Sequence, residues 1–298
     1  MREIELIRSI QNVAQTIPVD RRVLEGIGDD CCIVRPKPGE DLVFTTDFVI
    51  ENRHFTLETH RAVDVGHKAL ARSLSDLAAM GAEPVFCLVS LAVPEALALK
   101  WVAGFYRGLG ALARRFEISL AGGDLARAES VIADVMCCGR VPSGKALRRS
   151  TARPGDLIYV TGELGGSALG LRKKRGSAWL RHKRPEPRIA AGVLLRSMAS
   201  AAMDLSDGIS LDLFRLCTES QVRAEIDAPL PLARGATDVD GLHGGEDYEL
   251  LFTARPNAEV PTVLAGVRTT RIGVLKRGKP GVRYGGDPLP VRGFDHFL

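Results

Sequence analysis

The chain has 298 residues, 45% of them hydrophobic, with 40 Lys and Arg against 36 Asp and Glu for a net charge of +4. That length accommodates about two domains, and the balance is that of a soluble globular protein, not a disordered or fibrous one. A charge so mild and scattered argues against a nucleic-acid partner, and no apolar run is long enough to span a bilayer.

The densest basic group, Arg172-Lys173-Lys174-Arg175 with Arg181-His182-Lys183-Arg184, has only Trp179 interleaved and reads as a solvated loop. Six cysteines (Cys31, Cys32, Cys87, Cys137, Cys138 and Cys217) sit mostly in apolar runs without C-x-x-C spacing. They are expected to be small buried thiols in a reducing compartment. Glu3 and Glu5 with no following apolar stretch predict no signal peptide, so the expectation is a soluble, cytoplasmic protein.

Ile4, Ile7, Ile10 and Ala14 recur at helical spacing and predict a helix over 3–14. Two acidic knots follow, Gly26-Ile27-Gly28-Asp29-Asp30 and Thr45-Thr46-Asp47. The apolar runs 31–34 and 42–44, around a Pro/Gly turn at 35–41, predict a β-hairpin that sets Asp29 and Asp30 beside Thr45, Thr46 and Asp47. Carboxylates at that density repel one another unless a cation lies among them, and hard oxygen ligands suit Mg²⁺. His54 lies in a polar segment, 51–55, where a surface histidine is the default.

Residues 62–80 predict a helix with Val65, Ala69, Leu70, Leu74, Leu77 and Ala78 on its apolar face, stopped by Gly81 and Pro84. Asp76 falls late in it, against the helix dipole, which hints at an external cation. A buried-type strand at 85–93 precedes Pro94, which is expected to open a helix reaching about 116. The strand at 118–121 is expected to break at Gly122-Gly123-Asp124, where paired glycines let a ligand approach the backbone. A strand at 131–141 follows. This alternation fits a layered sheet with helices on one face.

The Pro/Gly-punctuated stretch 141–144 predicts a junction, giving domains 1–141 and 142–298. A strand at 157–161 runs into the glycine-rich 162–170, an anion-binding geometry that is neither Walker A nor G-x-G-x-x-G. Residues 188–203 are helical by pattern. Asp204-Leu205-Ser206-Asp207-Gly208 then precedes Ile209, Leu213, Leu216 and Cys217 at helical spacing. Ser206 or Asp207 is expected to cap that helix, which leaves Asp204 unexplained. Gly244-Gly245-Glu246-Asp247 repeats the glycine–acid theme before a strand at 248–253. Short strands are expected at 271–275 and 282–284, and the chain ends in Phe294-Asp295-His296-Phe297-Leu298.

The acids Asp29, Asp30, Asp47, Asp76, Asp124, Asp204, Asp207 and Glu246 stand mostly beside glycine, serine or threonine, with no histidine-rich or thiol spacing. Such a set favours Mg²⁺ over Zn²⁺, and Mg²⁺ usually completes its shell with phosphate oxygens and water.

Taken in order, Gly28-Asp29-Asp30, Thr45-Thr46-Asp47, His54-Phe55, Ser75-Asp76-Leu77-Ala78-Ala79-Met80-Gly81, Gly122-Gly123-Asp124, Arg149-Ser150, Pro154-Gly155-Asp156, Asp204-Leu205-Ser206-Asp207-Gly208, Gly245-Glu246-Asp247-Tyr248-Glu249-Leu250 and Phe294-Asp295-His296-Phe297 resemble the thiamine-monophosphate kinase family. That family belongs to a wider group of ATP-dependent enzymes that includes aminoimidazole ribonucleotide synthetase. The resemblance implies an α/β (α+β) fold of two domains. The first, with a mixed sheet and helices on one face, binds metal and nucleotide and pairs across a homodimer; the second completes the ATP and substrate site. It implies transfer of the γ-phosphoryl of ATP to thiamine monophosphate. Asp30, Thr45, Thr46, Asp47, Asp76, Asp124, Asp204 and Asp207 would hold several Mg²⁺ ions. Tyr106, Gly123, Arg149 and Ser206 would contact ATP. His54, Glu246 and Phe294 would meet the thiamine substrate, Phe294 offering an aromatic face to a cationic ring. Asn52-Arg53 stands where the family usually shows a small and an aliphatic residue.

The acceptor is already an anionic phosphate, so no general base is expected. Each unit-charge pair at ~4 Å costs roughly 4 kcal/mol at an effective dielectric near 20, so catalysis should be positioning and electrostatics, by direct in-line transfer. The alternatives are a sister enzyme of the same fold or a nucleotide-binding protein without chemistry. A sister enzyme would want a reactive cysteine near the N-terminus or one at the very C-terminus. The first cysteine here is Cys31, inside a predicted strand, and the chain ends in Phe297-Leu298.

Overall fold

The chain divides into two units, Met1–Leu77 with Glu83–Gly144 and Ala78–Ala82 with Lys145–Leu298. The computed structural model describes residues 3–27, 31–97 and 99–293. In chain order the first part carries α1 (Glu3–Ala14), β1 (Val23–Glu25), β2 (Ile33–Val34), β3 (Glu40–Ile50), α2 (Ala62–Ala79), β4 (Glu83–Val93), α3 (Leu99–Arg115), β5 (Ser119–Arg127) and β6 (Ile132–Pro142). Four strands form a mixed sheet in the order β3-β6-β4-β5, with only β4 and β5 parallel. The predicted stripe of α2 (Val65, Ala69, Leu70, Leu74, Leu77 and Ala78) is buried throughout. Each of its leucines contributes about 1.5–3 kcal/mol by leaving water.

The hairpin expected from 31–34 and 42–44 does not form. β2 pairs with β1, and β3 pairs antiparallel with β6 along its whole length, from Glu40↔Pro142 to Ile50↔Ile132. An 11-residue ladder satisfies far more backbone groups than a two-residue strand could. The turn is held instead by Arg22, buried at 5% exposure, which bonds both Asp20 and Glu40.

Two further boundaries move. Pro94 begins a separate turn (Leu97 N–H to Pro94 O, 3.0 Å), and α3 is assigned only from Leu99. The 118–121 strand does not break at Gly122-Gly123; β5 runs through them to Arg127. Gly123 has φ +151, and a Cβ there would lie 2.0 Å from Val89 O, so strand contact itself excludes a side chain.

The second part carries β7 (Leu157–Thr161), α4 (Gly166–Lys173), α5 (Gly176–Lys183), α6 (Ile189–Leu195), β8 (Ala199–Asp204), α7 (Ile209–Ser220), β9 (Arg223–Ile226), α8 (Asp238–His243), β10 (Leu250–Ala254), β11 (Val263–Leu264), β12 (Val267–Lys276), β13 (Gly281–Tyr284) and β14 (Asp287–Pro288). Its sheet runs β14-β13-β9-β12-β7-β10-β8, with β11 on β12 and only β9–β13 parallel. Ile209, Leu213, Leu216 and Cys217 of α7 pack into one core with Ile158, Val160, Met203, Leu251 and Ile272.

The helix expected over 188–203 ends at Leu195, and its second half is the strand β8. Alanine-rich sequence favours helix locally. Here pairing with β10 (Leu250↔Asp204, Leu251↔Met203, Phe252↔Ala202) and burial of Ala201 and Met203 override it. The basic 172–184 stretch is not a solvated loop but the end of α4 and all of α5. Arg172 bonds Asp240 (Nη2–Oδ2 2.9 Å) and Arg181 bonds Glu249 (3.0 Å). Of the cysteines, Cys31 is exposed and Cys32 half-buried, against the expectation of burial; the other four are buried, and all are free thiols. Among the described residues, no helix is long and apolar enough to cross a membrane.

Candidate active site

On β3 successive side chains point to opposite faces, and the acids divide accordingly. Thr45 Oγ1 donates to Asp76 Oδ2 of α2, and Arg72, one turn earlier, donates to Asp47 Oδ1 at 3.3 Å. Ser73 Oγ bonds Val135 O at 2.7 Å and pins α2 to β6. Burial pushes the Asp47 carboxyl up to about 6; Asp76 and Asp134 add to the rise and Arg72 opposes it. Thr46 Oγ1 donates to Asp134 Oδ1. Asp134 stands opposite Phe48 on β3 and Ser90 on β4, and Ser90 stands opposite Asp124 on β5. Asp124 is exposed, its Oδ1 accepting the N–H of Leu125 at 2.9 Å. The sequence reading missed Asp134, whose signal was a carboxylate in the middle of an otherwise apolar strand.

His54 is not on the surface: it is 7% exposed, its Nδ1 accepts the N–H of Ile50 at 3.0 Å, and Lys68 Nζ donates to its carbonyl at 3.1 Å. The turn that carries it needs a left-handed residue at Asn52 (φ 63), a conformation asparagine tolerates better than most side chains. Tyr106 is 3% exposed, edge-on to Phe105, and burial raises its hydroxyl pKa. Asp30 and Phe294 lie outside the described residues.

In the second unit the loop after β8 and the segment before β10 are stitched together: Glu246 N–H to Ser206 O (2.7 Å), Tyr248 N–H to Leu205 O (2.9 Å) and Leu205 N–H to Glu249 O (2.8 Å). This brings Asp204, Ser206, Asp207 and Glu246 onto adjoining backbone. Glu246 (φ 63) and Tyr248 (φ 51) are both left-handed, a conformation costing each about 1–2 kcal/mol. Asp204 is buried at 3% exposure, and Ser206 and Asp207 are half-buried. Neither Ser206 nor Asp207 caps α7, whose N-cap is Gly208 with no side-chain cap bond. Asp207 instead accepts Arg215 Nη1 at 2.5 Å, and its N–H donates to Asp212 Oδ2 at 3.0 Å. Burial pushes the Asp212 carboxyl up to about 7, while the Asp207 N–H, Arg215 and Arg149 hold it back. Arg149 itself is exposed, on a short 3₁₀ turn whose carbonyl accepts Ser220 Oγ at 2.6 Å.

The glycine-rich turn does bind an anion, and the anion is internal. Asp247 accepts the N–H groups of Gly165 (2.6 Å) and Ser167 (3.0 Å) at the start of α4, where the helix N-terminus favours negative charge. Burial nevertheless raises its carboxyl to about 6. Glu249, fully buried, accepts Thr161 Oγ1 (2.7 Å), Arg181 (3.0 Å) and both Nε (2.8 Å) and Nη2 (2.6 Å) of Arg188. Its carboxylate lies where a Cβ on Gly162 would be, 2.1 Å from Oε1, which is why glycine stands there. Arg72, Asp212, Arg215 and His182 were not singled out from the sequence, because their partners lie on other elements or in another turn.

The donors gathered in the first unit are all oxygen, and burial, with Asp76 and Asp134 adding to it, holds Asp47 above its ordinary range. Among the described residues no three His, Cys, Asp or Glu side chains already stand as a metal cage. Oxygen donors of this kind are the ligand chemistry Mg²⁺ takes, with waters completing its shell.

Two units of mixed sheet and helix, the first with Asp47, Asp124 and Asp134 within its strands and the second with Asp204 at the end of β8, define a class. Residues 28–141 match the family model of the AIR synthase related protein N-terminal domain, and 153–284 match that of the C-terminal domain. Within that class the chain belongs to the thiamine-monophosphate kinase family. It is 38% identical to the thiamine-monophosphate kinase of Salmonella typhimurium, with 91% of each chain covered. The crystal structure of thiamine-monophosphate kinase from Stenotrophomonas maltophilia is 37% identical, with TM-score 0.84 over 97% of this chain and 98% of that one. A structure of AaThiL complexed with AMPPCP and TMP is 30% identical, with TM-score 0.81 over 100% and 99%.

Proposed function

We infer that this chain is an ATP-dependent thiamine-phosphate kinase, transferring the γ-phosphoryl group of ATP to thiamine monophosphate to give thiamine diphosphate. The observation that carries this is the match along nearly the whole chain to thiamine-monophosphate kinases, and to a structure described as complexed with AMPPCP and TMP.

In this reading Thr45, Thr46, Asp47, Asp76 and Asp124, with Asp30, and Asp204 and Asp207 of the second unit hold Mg²⁺. When bound, the metal supplies the positive charge that lets two polyanions approach. The chain's own residues orient the reactants. Gly123, Arg149 and Ser206 contact ATP, and His54, Glu246 and Phe294 contact the acceptor. Tyr106 is assigned to ATP as well; because it is 3% exposed in the chain alone, its contact is the one a Tyr106→Phe variant checks through the KM for ATP. The first unit is the metal- and nucleotide-binding, dimerising domain, and the second completes the ATP and acceptor sites. No side chain is given the part of a general base, since the attacking phosphate oxygen is already ionised, and the phosphoryl group passes in line without a phospho-enzyme. The exposed Phe44 and Phe48 (62% and 54%) on β3 support a homodimer through that sheet face, and the free thiols support a cytoplasmic site of action.

The test is to incubate purified protein with ATP, Mg²⁺ and thiamine monophosphate and separate the products by chromatography. Equal formation of thiamine diphosphate and ADP, abolished by EDTA and by Asp124→Asn with an unchanged circular dichroism spectrum, is expected. ADP without the diphosphate, or a trapped phosphorylated aspartate or histidine on the reaction path, would overturn the reading.

A further inference from the structure

Glu246 is held in a conformation that glycine would adopt freely, with φ 63 and its N–H tied to Ser206 O at 2.7 Å. Its side chain is 20% exposed, within reach of a ligand. One carboxylate oxygen, Oε2, lies 3.3 Å from Nδ1 of His182, a side chain only 4% exposed. A carboxylate can only accept, so the contact is attractive when Nδ1 carries the hydrogen. The same nitrogen is 2.8 Å from Ser167 Oγ, whose oxygen accepts in that tautomer. The imidazole is stacked on Trp179, centroids 5.2 Å apart and planes within 13°. Ser167 in turn gives its N–H to Asp247 at 3.0 Å, the residue next to Glu246. Glu246, His182, Ser167 and Asp247 therefore close a ring from the β10 approach through α5 and α4 and back.

The ring fixes a side chain rather than fills a core. Asp247 and Glu249 already anchor this segment through α4 and the two arginines, so the His182 contact adds direction to the Glu246 carboxylate. We propose that His182, braced by Trp179 and Ser167, is a positioning residue that aims the Glu246 carboxylate at the organic part of the phosphorylated acceptor. It thereby sets acceptor affinity and selectivity without touching ATP. This rests on the reading of Glu246 as an acceptor contact. His182 meets neither reacting phosphate; it acts through Glu246.

The test is steady-state kinetics of the full chain with thiamine monophosphate and ATP varied separately, for His182→Ala, His182→Asn, Ser167→Ala, Glu246→Ala and the His182→Ala/Glu246→Ala double variant. Asparagine can place its amide nitrogen near where Nδ1 lies and so restores the donor. Misdirection of a binding group is expected to raise KM for thiamine monophosphate by about 10-fold in His182→Ala, with KM for ATP within about 2-fold. His182→Asn should recover most of that loss, and Ser167→Ala should shift the same parameter by less. If the histidine acts through Glu246, the double variant matches Glu246→Ala alone. Equal rises in both KM values, no rescue by asparagine, or effects that multiply in the double variant would overturn the proposal. Should His182→Ala not fold, His182→Asn and Ser167→Ala still decide it by the same split. A Glu246→Ala variant with wild-type KM for thiamine monophosphate would show instead that the assignment of Glu246 fails, and the proposal with it.

Discussion

Asp47→Asn should make the metal-free protein more stable while removing its response to Mg²⁺. Burial, with Asp76 and Asp134 nearby, raises the Asp47 carboxyl from its ordinary 3.8 to about 6. A rise of roughly 2 pH units bounds the cost of ionising it in the fold at about 3 kcal/mol. Its side chain is still 24% exposed, and solvent screening brings the expected figure to about 1–2 kcal/mol. The sign follows from the raised folded value. Below the unfolded value of 3.8 the group is neutral in both states and costs nothing. As pH rises through about 6 the folded state must carry a charge it disfavours, and that stability is lost. Asparagine, always neutral and still able to accept from Arg72, should therefore gain about 1–2 kcal/mol at pH 7.5 in EDTA and little at pH 4. Urea denaturation reads this, with Trp101 reporting on the first unit in a Trp179→Phe background, since these are the chain's only two tryptophans. Added Mg²⁺ stabilises the wild type by about 2.7 kcal/mol at a hundred times its Kd, and the variant should gain far less. A variant less stable than wild type in EDTA at pH 7.5, or an equal gain at both pH values, would refute the reasoning.

Two other outcomes follow from the second unit. Glu249→Ala strands Arg181 and Arg188 beside a buried hole and should cost about 3–5 kcal/mol, read by Trp179 fluorescence in urea. Glu249→Gln, which keeps the shape and part of the bonding, should cost less. Arg172→Ala removes the main influence holding the Asp240 carboxyl down at about 2, the Thr237 bonds remaining. Because the Arg172 side chain is 52% exposed, solvent screens the pair and the loss of stability at pH 6 should be small. It should shrink as pH falls through about 4 toward 2, where the wild-type carboxylate itself becomes protonated; a gap that widens in acid would contradict the assignment.

Much of the chemistry could be read locally. Threonine and aspartate at 45–47, the late aspartate of α2 and the acid-glycine motifs at 122–124, 204–208 and 245–247 are sequence features, and the fold stitches the last two together through backbone hydrogen bonds. The apolar stripe of α2 is equally plain, because a helix buries every third or fourth residue and that period survives in sequence. What could not be read were the partners. Nothing near residue 199 announces that an alanine-rich run will lie against β10 as a strand, and nothing in 42–44 chooses β6 over β2. Strand pairing is set by contacts between distant residues, and the longest ladder with the most buried face prevails. The same holds for charge. The glycine-rich turn at 162–170 declares a preference for an anion, but only the fold supplies Asp247 as that anion. Arg72, Asp134, Asp212 and His182 acquire their roles from side chains on other strands or one helical turn away. Local periodicity therefore marked helices such as α1, α2 and α7, and the sequence itself displays the acids. Tertiary structure decided what each acid faces, because desolvation and Coulomb forces depend on distance in space and not along the chain.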